Sequence, residues 1–236
     1  MITALKPLSL IHQQQTQQSN NMIRISKTSK LDGILSWSLQ AIDTCPASVG
    51  TDGNLVPACA GCYATTGNYN FPNVKAPRLE NKTDWQRDAW VADMVKQLDS
   101  SRYFRWFDSG DMYAVGLANK MLEVMQATPW VKHWLPTRMA KFPKFAPVIA
   151  QMQALDNVMV RFSSDSVSGD YDSRHGSVII DTPDDLPAGA TLCEAYANDG
   201  KCNGCRACYS KEVALIAYPA HGVKMRKVIK ILKARV

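Results

Sequence analysis

The sequence predicts an α/β protein, either a partial β/α barrel or a parallel sheet with helices, together with cysteine-rich loops. Short apolar segments of strand length alternate along the chain with longer segments whose apolar residues recur every three or four positions. This alternation favours a parallel sheet, because consecutive parallel strands need a crossover connection between them. The chain has 236 residues, of which 46% are hydrophobic and 20% charged, as is ordinary for a globular protein.

Seven strands and four helices are predicted from this pattern. The strands are expected over residues 22–27, 35–41, 103–108, 133–137, 158–163, 177–180 and 213–218. The helices are expected over residues 79–98, 115–128, 145–155 and 223–236. Thr83 is placed to cap the first helix. Arg161 lies inside an apolar strand and needs a partner there, which we expect to be a ligand carboxylate or Asp165.

The predicted elements divide the chain into three parts. Residues 1–30 are expected to form a partly flexible N-terminal extension that includes the Gln-rich segment 12–21, because this polar stretch has no periodicity. Residues 31–222 are expected to form an α/β iron–sulfur domain, for the reasons given below, and residues 223–236 a basic C-terminal helix.

The formal net charge of +6 is concentrated in the C-terminal helix. Its basic residues are Lys224, Arg226, Lys227, Lys230, Lys233 and Arg235. Without these six, basic and acidic residues balance, so the body of the protein does not suggest a nucleic-acid surface. We expect the helix to pack on the domain with its basic face in solvent; contact with nucleic acid or an anionic membrane is the alternative.

The chain is expected to be cytoplasmic. It contains no run of 18 or more uncharged apolar residues, so no membrane-spanning helix is expected. Residues 1–10 lack the apolar core and cleavage site of a signal peptide. Thiols stay reduced in the cytoplasm, and seven cysteines cannot all form disulfides within one chain.

Three cysteines after the second predicted strand have the spacing of metal ligands. Cys45, Cys59 and Cys62 form the pattern C-x13-C-x2-C. The C-x2-C step lets two thiolates reach one metal centre from a tight turn, and the small residues Ala60 and Gly61 leave backbone amides free to point at sulfur. Three thiolates would leave one iron of a 4Fe–4S cluster without a protein ligand, as a catalytic cluster needs.

A second group lies near the C-terminus, with the pattern C-x8-C-x2-C-x2-C. Its members are Cys193, Cys202, Cys205 and Cys208. The run CNGCRAC resembles a ferredoxin ligand run, without the proline that follows the last cysteine there. Four thiolates would suffice to close a structural site. The two groups together predict one or two iron–sulfur clusters, of which 4Fe–4S is the favoured type.

Zinc is the main alternative to iron and sulfide, because four thiolates at these spacings also satisfy a tetrahedral zinc ion. The tight C-x2-C-x2-C run and the lack of a histidine close to the first group favour an iron–sulfur cluster. Unrelated thiols are a poor explanation, because five of the seven cysteines fall in C-x2-C steps.

Several short motifs occur in an order that resembles one known family. These motifs are CPAS and CAGCYA around the first cysteines, FRWFDSGDMY, LPTRMAKF, VRFSSDSV and the C-terminal cysteine run. In this order they resemble the phage gene product 88 family over residues 35–218. The resemblance implies a phage or prophage origin, and hence the cytoplasm of the host cell, more directly than it implies a reaction.

The chain also resembles, more distantly, the radical S-adenosylmethionine enzymes, which combine a three-cysteine cluster with a β/α barrel. In them a Gly-Gly-Glu-like motif after the second strand holds the methionyl amino group. Ser109, Gly110 and Asp111 stand in that place here, so the resemblance implies that they bind S-adenosylmethionine. The chain departs from the family in its cysteine spacing and in having aspartate for glutamate. An equal interpretation is that Asp111 caps the following helix.

Three classes of function are therefore open. The first is a phage-encoded, cluster-dependent enzyme similar to the radical S-adenosylmethionine enzymes, acting on a substrate that the sequence does not identify. The second is a non-catalytic iron–sulfur or zinc protein in electron transfer, in sensing, or in host takeover by binding a host protein. The third is a nucleic-acid-binding module that uses the basic C-terminal helix.

Overall fold

A computed structural model describes residues 23–234, which form one eight-stranded sheet and six α-helices. The strands are β1 (Ser26–Thr28), β2 (Ile34–Trp37), β3 (Tyr103–Trp106), β4 (Lys132–Thr137), β5 (Val158–Val167), β6 (Gly176–Ile180), β7 (Ala190–Leu192) and β8 (Leu215–Pro219). The helices are α1 (Pro57–Ala60), α2 (Pro72–Asp84), α3 (Trp90–Gln97), α4 (Val115–Ala127), α5 (Ala146–Ala154) and α6 (Val223–Lys233).

The sheet has the strand order β1-β2-β3-β4-β5-β6-β8-β7. Strand β1 is antiparallel to β2, and every other neighbouring pair is parallel. From β2 to β6 each strand is added beside the one before it. Crossovers between parallel strands are right-handed almost without exception, which favours helices on one face of the sheet, as in a β/α barrel. Among the described residues the sheet has β1 and β7 as its two edges. The mostly parallel sheet and its helices confirm the predicted α/β class.

One face of the sheet, which we call the helix face, carries the larger hydrophobic core. Trp37, Phe104 and Trp106 point into it from β2 and β3 and are fully buried. Helices α3, α4 and α5 form the opposite wall, with Trp90 and Met121 among their buried residues. Burying one such side chain stabilises the fold by about 1.5–3 kcal/mol. The opposite face is here called the open face.

The predicted helix over residues 79–98 is wrong, because the chain forms two helices there, α2 and α3, with a turn between them. Lys120 of α4 donates from Nζ to three successive backbone carbonyls of this turn, at residues 85–87. These bonds satisfy the oxygens that a continuous helix would have paired within itself. Thr83 does not cap a helix start, since it lies in the last turn of α2.

The remaining predicted strands and helices are found, with ends displaced by a few residues. Strand β7 is not predicted by the sequence, because three residues are too few for a periodic signal. The Gln-rich segment 12–21 lies outside the described residues. The division of the chain at residues 30 and 222 stays a prediction. Within residues 23–234, no helix has the length and apolar character needed to cross a membrane.

The loop between β7 and β8 lies against the open face and is held there by Arg161 of β5. The Arg161 side chain is fully buried. Its guanidinium donates to the carbonyl of Cys208 at 3.0 Å and to those of Ala207, Ser210 and Val213 at 2.9 Å each. A single side chain therefore satisfies four backbone acceptors of a loop whose only regular structure is short 3-10 turns.

The expected pairing of Arg161 with Asp165 is wrong. Asp165 lies further along β5 and pairs instead with Lys141 and Arg138. Burial lowers the pKa of Arg161, but a guanidinium stays charged in proteins because its ordinary pKa is so high. The charge is stabilised by backbone dipoles, which sequence patterns do not reveal.

Replacing Arg161 by leucine should lower the free energy of unfolding by about 3–5 kcal/mol, because several buried carbonyls lose their donor together. Arg24 is the control: it is exposed and pairs with Glu80 at 2.9 Å. Arg24→Leu should cost no more than about 1 kcal/mol. Urea-induced unfolding followed by circular dichroism measures both, and equal losses would contradict the anchoring role.

Candidate metal and ligand site

Side chains on the open face line a cavity of about 740 Å³. Ser36, Arg105 and Trp134 are cross-strand neighbours on β2, β3 and β4, and Ser177 and Tyr218 line the cavity from β6 and β8. The segments that follow β3, β4, β7 and β8 reach it as well. The cavity thus lies where the carboxyl ends of parallel strands meet loops, the usual ligand position in such folds, and its volume suits a small molecule.

Six of the seven cysteines line this cavity. They are Cys45, Cys59, Cys62, Cys193, Cys202 and Cys208. Cys205 is exposed and lies outside the lining, and all seven thiols are free. The fold therefore brings the two sequence groups, which are far apart in the chain, to a single cavity.

The first cysteine group is carried by the connection between β2 and α2. Cys59 belongs to α1, and Cys62 follows it after a tight turn at Gly61. A β-carbon on Gly61 would lie 2.7 Å from the Cα of Met225, so only glycine lets α6 pack this closely on the turn. The C-terminal helix packs on the domain as expected, and it supports the cysteine pair directly.

The first group consists of thiols that resist ionisation. Burial raises the pKa of Cys45 to about 12, with smaller contributions from Asp111 and from the other two thiols. Burial also raises the pKa of Cys59 and of Cys62, and the guanidinium of Arg138 opposes both shifts. Metal binding would displace these thiol protons, because the thiolate is the ligand.

The second group lies on the segment that begins where β7 ends. Cys193 follows β7 directly, and the Cys202 N–H donates to the Lys30 carbonyl at 2.8 Å. Cys208 Sγ lies 3.3 Å from the Tyr218 hydroxyl, and burial raises the pKa of Cys208 to about 11. Interaction with Cys193 adds to the effect of burial on the pKa of both Cys202 and Cys208, so these three thiols are neighbours.

The donors of both groups fit an iron–sulfur cluster or zinc by their chemistry. Within residues 23–234, however, no three His, Cys, Asp or Glu side chains surround a position for a single metal ion. Four thiolates on one zinc ion lie about 3.8 Å apart, since the Zn–S bond is about 2.3 Å. A cubane cluster spaces its thiolates more widely, because each binds a different iron.

Residues 109–111, the predicted cofactor-binding segment, line the cavity and are held by their own contacts. Ser109 Oγ donates to the Leu39 carbonyl at 2.6 Å and accepts from Arg78 Nε at 2.8 Å. Gly110 has a φ of +82°, and a β-carbon there would lie 2.5 Å from Leu39 Cβ. Glycine is required at this position, because the left-handed backbone and the close approach both exclude a side chain.

Asp111 is buried, and its carboxylate accepts three hydrogen bonds. Oδ1 accepts from the Met112 N–H and the Thr137 hydroxyl at 2.8 Å each, and Oδ2 accepts from the Arg138 N–H at 2.9 Å. Burial raises the pKa of Asp111, and these bonds oppose the shift. The capping interpretation is wrong, since no side chain caps α4, which begins at Val115. That Asp111 binds a cofactor stays a prediction.

Arg105 is a candidate functional residue that the sequence patterns did not single out. Its guanidinium lies 4.6 Å from the Trp134 ring and donates from Nη1 to Asp108 Oδ1 at 2.9 Å. Its Nε is buried without an acceptor among the described residues. The sequence did contain an indication of this role, because an arginine in the middle of an apolar strand needs an anionic or carbonyl partner.

Four aromatic rings form a row in the cavity lining between the two cysteine groups. Tyr63, which follows Cys62, packs against Tyr69 at 5.5 Å and against His221 at 5.9 Å between ring centroids. His221 in turn packs against Tyr196 at 3.9 Å. Tyr63 and Tyr196 are 41% and 47% exposed, so the row borders the mouth of the cavity.

Gly110→Ala should destabilise the protein by at least about 3 kcal/mol, because overpacking adds to the cost of a left-handed backbone. Gly33 is a matched control, since its φ is +81° and nothing lies within 4 Å of an added β-carbon. Gly33→Ala should cost about 1–2 kcal/mol from the backbone alone. Urea unfolding of both variants tests the close approach, and similar losses would argue against it.

Comparisons with known proteins agree with the motif order. A family model described as Gene product 88 matches residues 10–231, a range that includes both cysteine groups and residues 109–111. Searches of curated proteins and of solved structures find no significant match. The resemblance to radical S-adenosylmethionine enzymes gains no support from them and stays a hypothesis. Because the family match covers nearly the whole chain, this protein belongs to the phage gene product 88 family.

Proposed function

We propose that this protein binds iron–sulfur clusters at its two cysteine groups and uses the cluster on Cys45, Cys59 and Cys62 in catalysis. The placement of six cysteines around one cavity, at the ligand end of a parallel sheet, carries the proposal. Cysteines that served packing alone would be distributed through the hydrophobic cores. Thiolates are the usual protein ligands of iron–sulfur clusters, and both groups have spacings that suit them.

The two groups differ in the number of ligands they offer. The first supplies three thiols, so one iron of a 4Fe–4S cluster would face the cavity without a protein ligand. The second has three thiols in the cavity lining and a fourth thiol, Cys205, in the same turn as Cys202, because the Cys205 N–H donates to the Cys202 carbonyl at 2.9 Å. A cluster with four protein ligands suits electron transfer or structural support, whereas an open iron suits substrate binding.

We further propose S-adenosylmethionine as the ligand of the open iron. Residues 109–111 follow β3, the second strand of the parallel series, and line the same cavity as the first cysteine group. Asp111 lies close enough to Cys45 to raise the pKa of that thiol. When bound, the cofactor would supply one-electron hydrogen-abstraction chemistry. The carboxylate of Asp111 would hold its ammonium group through a charge-assisted hydrogen bond.

Protein purified anaerobically should contain about eight iron atoms and a similar amount of acid-labile sulfide, about four of each per cluster. The double variants Cys59→Ala/Cys62→Ala and Cys202→Ala/Cys208→Ala should each retain about half of both. His175→Ala is the control, since this histidine lies outside the cavity lining. Iron, sulfide and zinc analysis with paramagnetic-resonance spectra measures the content.

Two results would change the assignment of the metal centres. Complete loss of iron from either double variant would indicate a single shared cluster. Stoichiometric zinc without sulfide, in protein from iron-replete anaerobic cells, would rule out the iron–sulfur function and leave a zinc-bound structural protein.

Cluster-loaded protein should bind S-adenosylmethionine, and Asp111→Ala should weaken binding by about 1.5–3 kcal/mol, roughly ten- to a hundredfold. Thr137→Val is the matched control, because it removes one donor to Asp111 and leaves the carboxylate in place. Calorimetry measures affinity, and dithionite turnover with analysis for 5′-deoxyadenosine measures the reaction. No binding at millimolar cofactor and no deoxyadenosine would favour a non-catalytic role in electron transfer or sensing.

A further inference from the structure

We infer that the cavity binds an anionic small molecule with a flat ring, and that Arg105 holds its negative group. Arg105 stands on the open face of β3 and lines the cavity, yet its side chain is only 11% exposed. The claim that this molecule is the substrate rests on the proposed function. The claim that a binding site exists depends only on the residues around Arg105, so the two proposals can fail separately.

Arg105 shares its carboxylate partner with a second arginine. Asp108 Oδ1 accepts from Arg105 Nη1 at 2.9 Å, but Oδ2 of the same carboxylate accepts from the Tyr69 hydroxyl and pairs with Arg78 at 3.4 Å. One carboxylate therefore serves two guanidinium groups. Arg105 Nε has no acceptor within residues 23–234. A buried cation with an unused donor is costly unless an anion completes its surroundings.

A second cation borders the same space. Lys30 Nζ lies 4.9 Å from the ring centroid of Tyr196 and 5.9 Å from that of Tyr218. Arg105 and Tyr218 line the same cavity, so both cations border one space. Across the whole lining, five lysine and arginine residues face two aspartates, and one of these, Asp111, is occupied by three donors. This excess of positive charge favours an anionic ligand.

The aromatic row at the mouth of the cavity is the reason for proposing a ligand with a flat ring. Tyr63, His221 and Tyr196 present successive ring faces and edges beside the opening, and Tyr63 and Tyr196 are exposed there. Planar groups pack well against such rings. A ligand lying on this row would extend its charged group toward Arg105, and its other end would meet the cysteine-lined wall.

The alternative is that these cations balance the negative charge of thiolate-bound clusters. To decide between the two, ligand affinity is measured on the full-length protein, both metal-free and cluster-loaded. Two probe pairs differ mainly in charge: adenosine 5′-monophosphate with adenosine, and indole-3-acetate with indole-3-ethanol. The first pair tests a phosphate and the second a carboxylate. Calorimetry should show at least one anion binding about ten- to a hundredfold more tightly than its neutral partner, as expected for charge-assisted hydrogen bonds.

Arg105→Gln should remove the preference for the anion, and Arg105→Lys should restore part of it, because lysine keeps the charge and loses the planar fork. Arg24→Gln, at an exposed ion pair, should leave the preference unchanged. An unchanged preference in Arg105→Gln that is folded by circular dichroism would overturn the inference.

Three further results would also overturn it. The first is that neither anion binds at millimolar concentration, and the second is that binding shows no charge preference. The third is that binding to metal-free protein disappears after cluster loading, because the cations would then serve the cluster. If the protein takes up neither iron nor sulfide but binds the anions in preference to their neutral partners, the binding site is supported. The proposed iron–sulfur function is then ruled out.

Discussion

The buried guanidinium of Arg161 is the interaction on which the open face of the sheet depends. A parallel sheet wound in one direction buries one face under helices and leaves the other without a second layer, although parallel sheets are stable only when both faces are covered. Here the loop between β7 and β8 covers the open face, and its carbonyls find their donors in one side chain. Because Cys202, Cys205 and Cys208 lie on this loop, Arg161 also fixes the second cysteine group.

Asp111 holds the first cysteine group in place, as Arg161 holds the second. Its backbone N–H donates to the Thr44 carbonyl at 3.1 Å, directly before Cys45, while its carboxylate binds the chain at the end of β4. An ionised carboxylate has about four acceptor positions. Three are used within the protein, so one is left for an ammonium group. A structural role for Asp111 and a role in cofactor binding are therefore compatible.

The sequence predicted those features that depend on neighbouring residues in the chain. It did not predict features that depend on a contact with a residue far away in the sequence. Apolar periodicity predicted the strands and the α/β class, and cysteine spacing predicted the two groups. The break between α2 and α3 could not be predicted, because Lys120, which satisfies its carbonyls, comes from another helix. The need of Arg161 for a partner was predictable, but the partner was not, since backbone carbonyls are present in every sequence. The meeting of both cysteine groups at one cavity follows only from the strand order.

The positive charges around the cavity fall into two sets with different neighbours. Arg138 and Lys141 both lower the pKa of Cys59, which burial raises, so these cations favour the thiolate that a metal centre needs. Arg105 has a different anionic neighbour, Asp108, whose charge is the main influence that raises the pKa of Arg105 against the effect of burial. A cluster at the first group would therefore draw on the first set and leave Arg105 available. This separation would allow one cavity to hold a negatively charged metal centre and still attract a negatively charged ligand.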